Sequence, residues 1–309
     1  MNLGKLGVWF DFDGTSSREV AVTAKKIESL GYGTLWIPEA PLGKNPMVLA
    51  SWLLANTQDL IIATGIANIY HREPSVTLAA QNSLAEQSDN RFLLGIGVSH
   101  KPIVEGLRGL TYGPPVATMK KYLEQMETAT LQMQSDNTNN QIIEAITPSN
   151  KPPTVIAALG PKMLALAAKK TQGAHPYFTS PKHTEMAREI MGKDSWLCVE
   201  QKVILEENVK KARDLCRERA KFYNKLPNYR NNWLRMGLSE EDIDSLSDKF
   251  IDTTFAWGSS KDIENRVQEH LDAGANHVCI QPINPNEKSG HIHWECLESV
   301  ATCLNKENL

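Results

Sequence analysis

The stretch LIIATGIANIYHREPSVTLAAQNSLAEQSDNRFLLGIGVSH, Leu60 to His100, decides how the rest of the chain is read. Leu60 to Ala63 is a short apolar run without polar alternation, which suits a parallel strand covered on both faces. Gly65 breaks the run, and a polar loop from Ala67 to Glu73 follows. Pro74 stands where a helix tolerates it, because a first-turn N–H has no intrahelical partner to lose. Val76, Ala79, Ala80 and Leu84 recur at helical spacing, Asp89-Asn90 ends the helix, and Phe92 to Ile96 is a second buried strand. The stretch is one βαβ unit with polar loops at the carboxyl ends of both strands.

The same alternation extends outward in both directions. Upstream, Lys5 to Phe10 reads as the first strand and Thr34 to Ile37 as the second. Ser16 and Glu19 have capping-box spacing before a helix whose inner face is Val20, Ala24 and Ile27, and Gly31 ends it. A second helix, Pro46 to Asn56, leads into the central stretch.

Downstream comes a long amphipathic helix around Val116 to Met133, then the polar segment Ser135 to Asn140, read as a surface loop. Thr154 to Ala158 is the fifth strand; Gly160-Pro161-Lys162 opens the next helix and Gly173 closes it. Ala174 to Phe178, Trp196 to Leu205 and His277 to Ile280 are strands six to eight, with a helix from Pro181 to Met191 after strand six. Ser259 and Asp262 cap a helix carrying Ile263, Val267 and Leu271 on one face, Gly274 ends it, and a last helix spans about Trp294 to Leu304. Eight strands alternating with helices predict a (β/α)₈ TIM barrel, one domain over residues 1–309, with residues 206–256 as a helical excursion between strands seven and eight. An open doubly wound sheet is the weaker alternative, since no GxGxxG follows the first strand.

Composition narrows the class of function. The 309 residues carry a formal charge of −3 without a basic stripe, which argues against nucleic-acid binding. No window approaches the roughly 18 apolar residues that span a bilayer. The five cysteines (Cys198, Cys216, Cys279, Cys296, Cys303) include no CxxC pair and read as reduced thiols, so the expected location is cytoplasmic. His291 and His293 lack a third ligand at metal spacing, and no metal is expected.

The pattern Thr64-Gly65-Ile66-Ala67-Asn68, then Arg72-x-Pro74, a helix, Asn90-Arg91-Phe92 and Leu94-Gly95-Ile96-Gly97 resembles the bacterial luciferase-like superfamily. Within it the likeness is to the F420-dependent oxidoreductase group, which includes methylenetetrahydromethanopterin reductases and F420-dependent glucose-6-phosphate dehydrogenases. It runs from about Leu3 to Ile283. The resemblance implies F420 as cofactor, with FMN as the alternative, a small-molecule substrate and a homodimer. It also implies a cis peptide at Gly65–Ile66 backing the deazaflavin ring, with Asn68 at the ring's polar edge. Read alone, Gly65 and Ile66 suit an ordinary strand end, Asn68 a turn, and Arg72 an anchor of its own loop.

Working residues of such barrels stand at strand carboxyl ends. That rule selects Asp11, Asp13, Glu39, Asn68 to Arg72, His100, Gly160 to Lys162, Thr179 to Lys182, Glu200 and Gln281. Gly160, Pro161 and Lys162 begin a helix, whose free N–H groups and dipole suit a phosphate, and the resemblance places the cofactor's phosphate there. The same residues also suit plain helix initiation. Thr179 and Lys182 match a phosphate-holding pair of the sugar-phosphate dehydrogenases; Lys182 also reads as a solvated lysine. Many relatives carry a catalytic histidine after strand two, whereas this chain has Glu39 followed by Ala40. His100 stands where relatives place a carboxylate, and a histidine exchanges protons near neutral pH. His100 and Glu39 are therefore the catalytic candidates, with His175 behind them. Tyr229 to Asn232 form a polar cluster that suits either a pocket cap or an exposed turn.

These features predict an enzyme that moves a hydride between F420 and an organic substrate. Two other readings stay open: an FMN-dependent monooxygenase using reduced flavin and oxygen, and a non-catalytic flavin-binding paralogue, which Ala40 makes plausible.

Overall fold

The computed structural model describes residues 1–135, 150–286 and 291–304. The Ser135–Asn140 segment lies outside these residues beyond Ser135. In chain order the first elements are β1 (Leu6–Trp9), α1 (Ser17–Ser29), β2 (Thr34–Ile37), α2 (Pro46–Asn56), β3 (Ile61–Thr64), β4 (Ala67–Asn68), α3 (Pro74–Gln87) and β5 (Phe92–Gly97). Then come α4 (Pro115–Ser135), β6 (Thr154–Ile156), α5 (Pro161–Lys170), β7 (Gly173–Ala174), α6 (Pro181–Met191) and β8 (Trp196–Leu205). The excursion contributes α7 (Val209–Ala220), α8 (Pro227–Arg235), α9 (Glu240–Ser245), α10 (Asp248–Thr254) and β9 (Ala256–Gly258). The chain continues through α11 (Ser260–Asp272), β10 (His277–Pro282) and α12 (Trp294–Leu304).

The strands β1, β2, β3, β5, β6, β7, β8 and β10 pair in parallel, and β10 returns to β1, so the sheet closes into a barrel. The short β4 and β9 add to β5 and β8. Proline opens α2, α3, α4, α5, α6 and α8, where it costs no hydrogen bond. The Ser16/Glu19 capping box and the Val20, Ala24 and Ile27 face of α1 are present as expected.

Three apolar clusters follow from this closure. One lies between strands and outer helices and includes Leu35, Leu53, Leu94 and Val278. A second fills the barrel with Trp9, Trp36, Ala63, Leu93, Cys198 and Cys279. There Trp36 stacks on His175 at 4.2 Å and donates from Nε1 to His277 Nε2 at 3.0 Å. The third belongs to the excursion, where Trp233, Phe250 and Phe255 gather around Phe178.

Three local expectations change. Val76 is 55% exposed, and α3 turns Thr77, Gln81, Leu84 and Ala85 inward. Gln81 is buried because its Nε2 donates to the carbonyls of Pro152 and Pro153, so the inner face is partly polar and hydropathy misplaces it. Gly173 does not close α5; it lies in β7, where a Cβ would stand 1.9 Å from the Trp196 carbonyl oxygen. On α11 the third inward residue is His270, bonded to Thr184 and Gln201, with Leu271 only partly buried.

Candidate active site

The corner after β3 is built by close approach. The Gly65–Ile66 peptide is cis, and the Gly65 carbonyl accepts a hydrogen bond from Trp9 Nε1 at 2.9 Å. Gly97 makes room for this corner, since a Cβ there would lie 2.6 Å from Ile66 Cδ1. Glu39 holds the following loop. Its carboxylate takes both Arg72 guanidinium nitrogens, at 2.9 and 2.6 Å, the Asn68 N–H at 2.7 Å and His71 Nδ1 at 3.0 Å. Burial alone raises the Glu39 pKa, but the bonds from Arg72, Asn68 and His71 outweigh it and hold the carboxyl below its usual value. Asn68 is itself occupied: Oδ1 accepts the Tyr70 N–H at 3.0 Å, and Nδ2 faces His71 Nε2 at 3.0 Å.

His100, after β5, meets the excursion rather than Glu39. Its ring lies 5.7 Å from that of Tyr229 and its side chain hydrogen-bonds Asn228. Burial lowers its pKa, partly offset by Asn228, which favours a neutral imidazole. Tyr229 also contacts Tyr177 and Phe178, and Trp233 Nε1 donates to the Phe178 carbonyl at 3.1 Å. Helix α8 therefore covers the mouth beyond β5 and β7. Of the predicted polar cluster, Tyr229 and Asn232 are buried, whereas Asn231 is exposed and Arg230 pairs with Asp244 and Glu240.

The starts of α5 and α6 lie beside this cover. Neither Gly160 nor Ser180, the residues preceding them, supplies a side-chain cap. Pro161 and Lys162 are exposed, and Arg235 Nη2 lies 3.5 Å from where a Gly160 Cβ would stand. Thr179 Oγ1 and Ser180 Oγ are buried without a hydrogen-bond partner. Lys182 Nζ approaches the same excursion, 3.3 Å from the place of a Gly237 Cβ. Two uncapped helix starts, two orphaned hydroxyls and nearby cations fit a phosphate-bearing group.

A cavity of about 1080 Å³ opens beyond β1, β8 and β10, lined in part by Trp9, Asp11, Asp13, Lys202, Tyr223 and Gln281. Of the strand-end candidates its lining includes Asp11, Asp13 and Gln281 but none of Gly65, Asn68, His100, Gly160 or Thr179, so the cavity and the expected cofactor residues occupy different sectors of the mouth. Trp9 joins them, because it lines the cavity and bonds Gly65. Burial raises the Asp11 pKa, against the Asp13 N–H bond that lowers it.

Lys202 stands beside the cavity in an unusual setting, 2% exposed. Nζ lies 3.2 Å from Glu200 Oε1 and 3.6, 4.3 and 5.1 Å from the ring centroids of Tyr177, Phe178 and Tyr223. Sequence reading noted Glu200 and missed Lys202. The signal was available: residues two apart share a strand face, so a buried Glu200 and Lys202 are presented together. His175 is buried: its Nδ1 faces the Cys198 carbonyl at 2.9 Å, and its Nε2, without a hydrogen-bond partner, lies 3.1 Å from where a Gly65 Cβ would stand. Among the described residues no group of three or more His, Cys, Asp or Glu side chains could hold a metal ion. No described helix is long and apolar enough to cross a membrane.

With the geometry in place, likenesses to known proteins are informative. The family described as luciferase-like monooxygenase matches residues 6–277. A 5,10-methylenetetrahydromethanopterin reductase of Archaeoglobus fulgidus is 26% identical over an alignment of 311 positions, covering 87% of this chain and 91% of that one. Two solved structures share the fold. The coenzyme F420-dependent tetrahydromethanopterin reductase of Methanopyrus kandleri has a TM-score of 0.69 at 15% identity, over 97% of this chain and 98% of that one. The oxygenating constituent of 3,6-diketocamphane monooxygenase of Pseudomonas putida, in complex with FMN, has a TM-score of 0.72 at 14% identity, over 96% of each chain.

Proposed function

The chain belongs to the luciferase-like monooxygenase family, and from that premise we propose that it is an F420-dependent oxidoreductase acting on a small organic molecule. The observation that carries this reading is the close-packed Gly65–Ile66 corner after β3, whose Gly65 carbonyl accepts from Trp9 and whose Ile66 side chain is admitted by Gly97. A relative named as a putative coenzyme F420-dependent oxidoreductase of Mycobacterium tuberculosis, 27% identical over 61% of this chain and 59% of that one, supports the choice of F420 over FMN.

In this reading Gly65 and Ile66 back the ring and Asn68 stands at its edge. Gly160, Pro161 and Lys162 at the start of α5 and Thr179 before α6 hold the phosphate, with Arg235 and Lys182 supplying positive charge nearby. When bound, the deazaflavin supplies two-electron hydride chemistry. Glu39 keeps the loop from Asn68 to Arg72 in place, a task that suits a carboxylate saturated with donors. His100, neutral and under α8, is proposed to line the ring site. The same reading takes residues 1–309 as one domain and the chain as a homodimer.

Calorimetric titration with F420 and with FMN tests it, and tighter binding of F420 is expected. Tighter binding of FMN, with oxygen consumption when a flavin reductase is supplied, would move the chain to the monooxygenases. Tight binding of either without turnover across a substrate panel would make it a non-catalytic paralogue.

A further inference from the structure

The Glu200–Lys202 pair lies on the inward face of β8, where the two charges are 0% and 2% exposed. A buried ion pair of this kind is commonly replaced by apolar side chains without loss of stability, so its presence beside a cavity asks for a use. Three sides of the ammonium are closed by the rings of Tyr177, Phe178 and Tyr223, and a fourth by the Glu200 carboxylate. The Tyr177 ring is held over Nζ by its hydroxyl, which donates to Gln281 Oε1 at 3.0 Å and meets the Tyr223 hydroxyl at 3.0 Å. What remains open to Lys202 is the cavity, whose other walls include Trp9, Phe10, Phe222 and Trp294.

We propose that Lys202 binds and protonates a substrate oxygen in this cavity, and that the substrate is a ring-bearing molecule with a carbonyl oxygen. The aromatic walls suit the body of such a molecule, and Lys202, the one lysine among the described residues that line the cavity, suits its oxygen. Trp9, which lines the cavity and donates to the Gly65 carbonyl, is the side chain that the cavity and the ring site share. The redox half rests on the proposed function: a reduced deazaflavin or flavin, when bound, would supply the hydride. As the carbonyl carbon accepts the hydride, its π pair moves to oxygen. The Nζ–H bond breaks, the O–H bond forms, and the nitrogen keeps its electron pair as a neutral amine. Burial favours that neutral form, lowering the Lys202 pKa to about 8 against the opposing pull of Glu200.

4-Nitrophenol, a ring with an ionisable oxygen, tests the assignment on the full chain by absorbance and calorimetry, without any turnover. The wild type is expected to bind the phenolate and to lower the bound phenol's pKa by about one unit, a tenfold preference for the anion. Lys202→Met should abolish that preference, and Lys202→Arg should restore much of it. Because Lys202→Met leaves Glu200 without its cation, the double variant Glu200→Gln/Lys202→Met is measured beside it and should lose the preference equally. Absence of binding to wild type, or an unchanged shift in the folded double variant, would overturn the proposal. Failure of the F420 reading shows separately, in the cofactor titration.

Discussion

Glu200 Oε2 accepts the backbone N–H of Phe178 at 2.8 Å, so one carboxylate joins the barrel interior to the helical excursion. Phe178 has a φ of +58°, a left-handed conformation that few aromatic residues adopt, and its ring is the hub of the excursion's core. Both Glu200 oxygens also face Lys202, at 3.2 and 3.3 Å.

Glu200→Ala is therefore expected to destabilise the chain by about 3–5 kcal/mol, because it leaves a buried ammonium unpaired and a backbone donor orphaned. Glu200→Gln, which still accepts from Phe178, should cost less. Urea denaturation of the two variants measures the difference. Equal, small losses in both would mean that the pair does not hold the excursion in place.

Arg72 and Glu39 make a bidentate contact with side chains 10% and 7% exposed. A lysine cannot reproduce the planar fork. Arg72→Lys should cost about 1–3 kcal/mol and weaken binding of F420 by loosening the loop that carries Asn68. Cofactor affinity unchanged in a folded Arg72→Lys variant would separate this clamp from the cofactor site.

Gly97→Ala presses a methyl group against Ile66, and overpacking of this kind costs about 1–3 kcal/mol. The expected signature is a lowered thermal midpoint together with reduced cofactor affinity, since the displaced side chain is Ile66, proposed to back the ring. A purely thermal effect would leave Ile66 without a part in binding.

How much of this was legible in the sequence depended on range. Helix starts were local: Pro46, Pro161 and Pro181 each mark the first residue of a helix, and the Ser16/Glu19 box is met within one turn. Barrel strands such as β1, β3 and β5 could be placed because each is a short, largely apolar run, whereas β8 runs for ten residues and carries Glu200, Gln201 and Lys202 in its middle. The inward face of α3 could not, because Gln81 is buried by carbonyls 71 and 72 residues away. The same applies to the site. Glu39 was found from its place at a strand end, but its partners Arg72 and His71 lie more than 30 residues on. Lys202 is caged by rings from β7's exit and from the excursion, a meeting that only closure of the barrel creates.

The last prediction concerns acid. His175, His277 and His183 are buried, and burial lowers each pKa to about 4; His270 falls to about 3 for the same reason. Unfolded histidines titrate near 6.5. Between these limits the unfolded chain binds protons that the native chain does not. Stability is thus fully present above about pH 6.5 and falls as pH drops toward 4, each such histidine adding a slope of about 1.4 kcal/mol per pH unit. Glu39 acts lower: its depressed carboxyl loses its contribution only as pH falls through and below the ordinary carboxylate range. Urea midpoints at pH 7.5, 6.5 and 5.5 should therefore decline above the ordinary carboxylate range. His277→Gln, whose amide can still face Trp36 Nε1 and the Gly4 carbonyl, should flatten that decline by about one histidine's share. A wild-type midpoint level from pH 7.5 to 5.5 would show that these imidazoles are not held neutral in the native barrel.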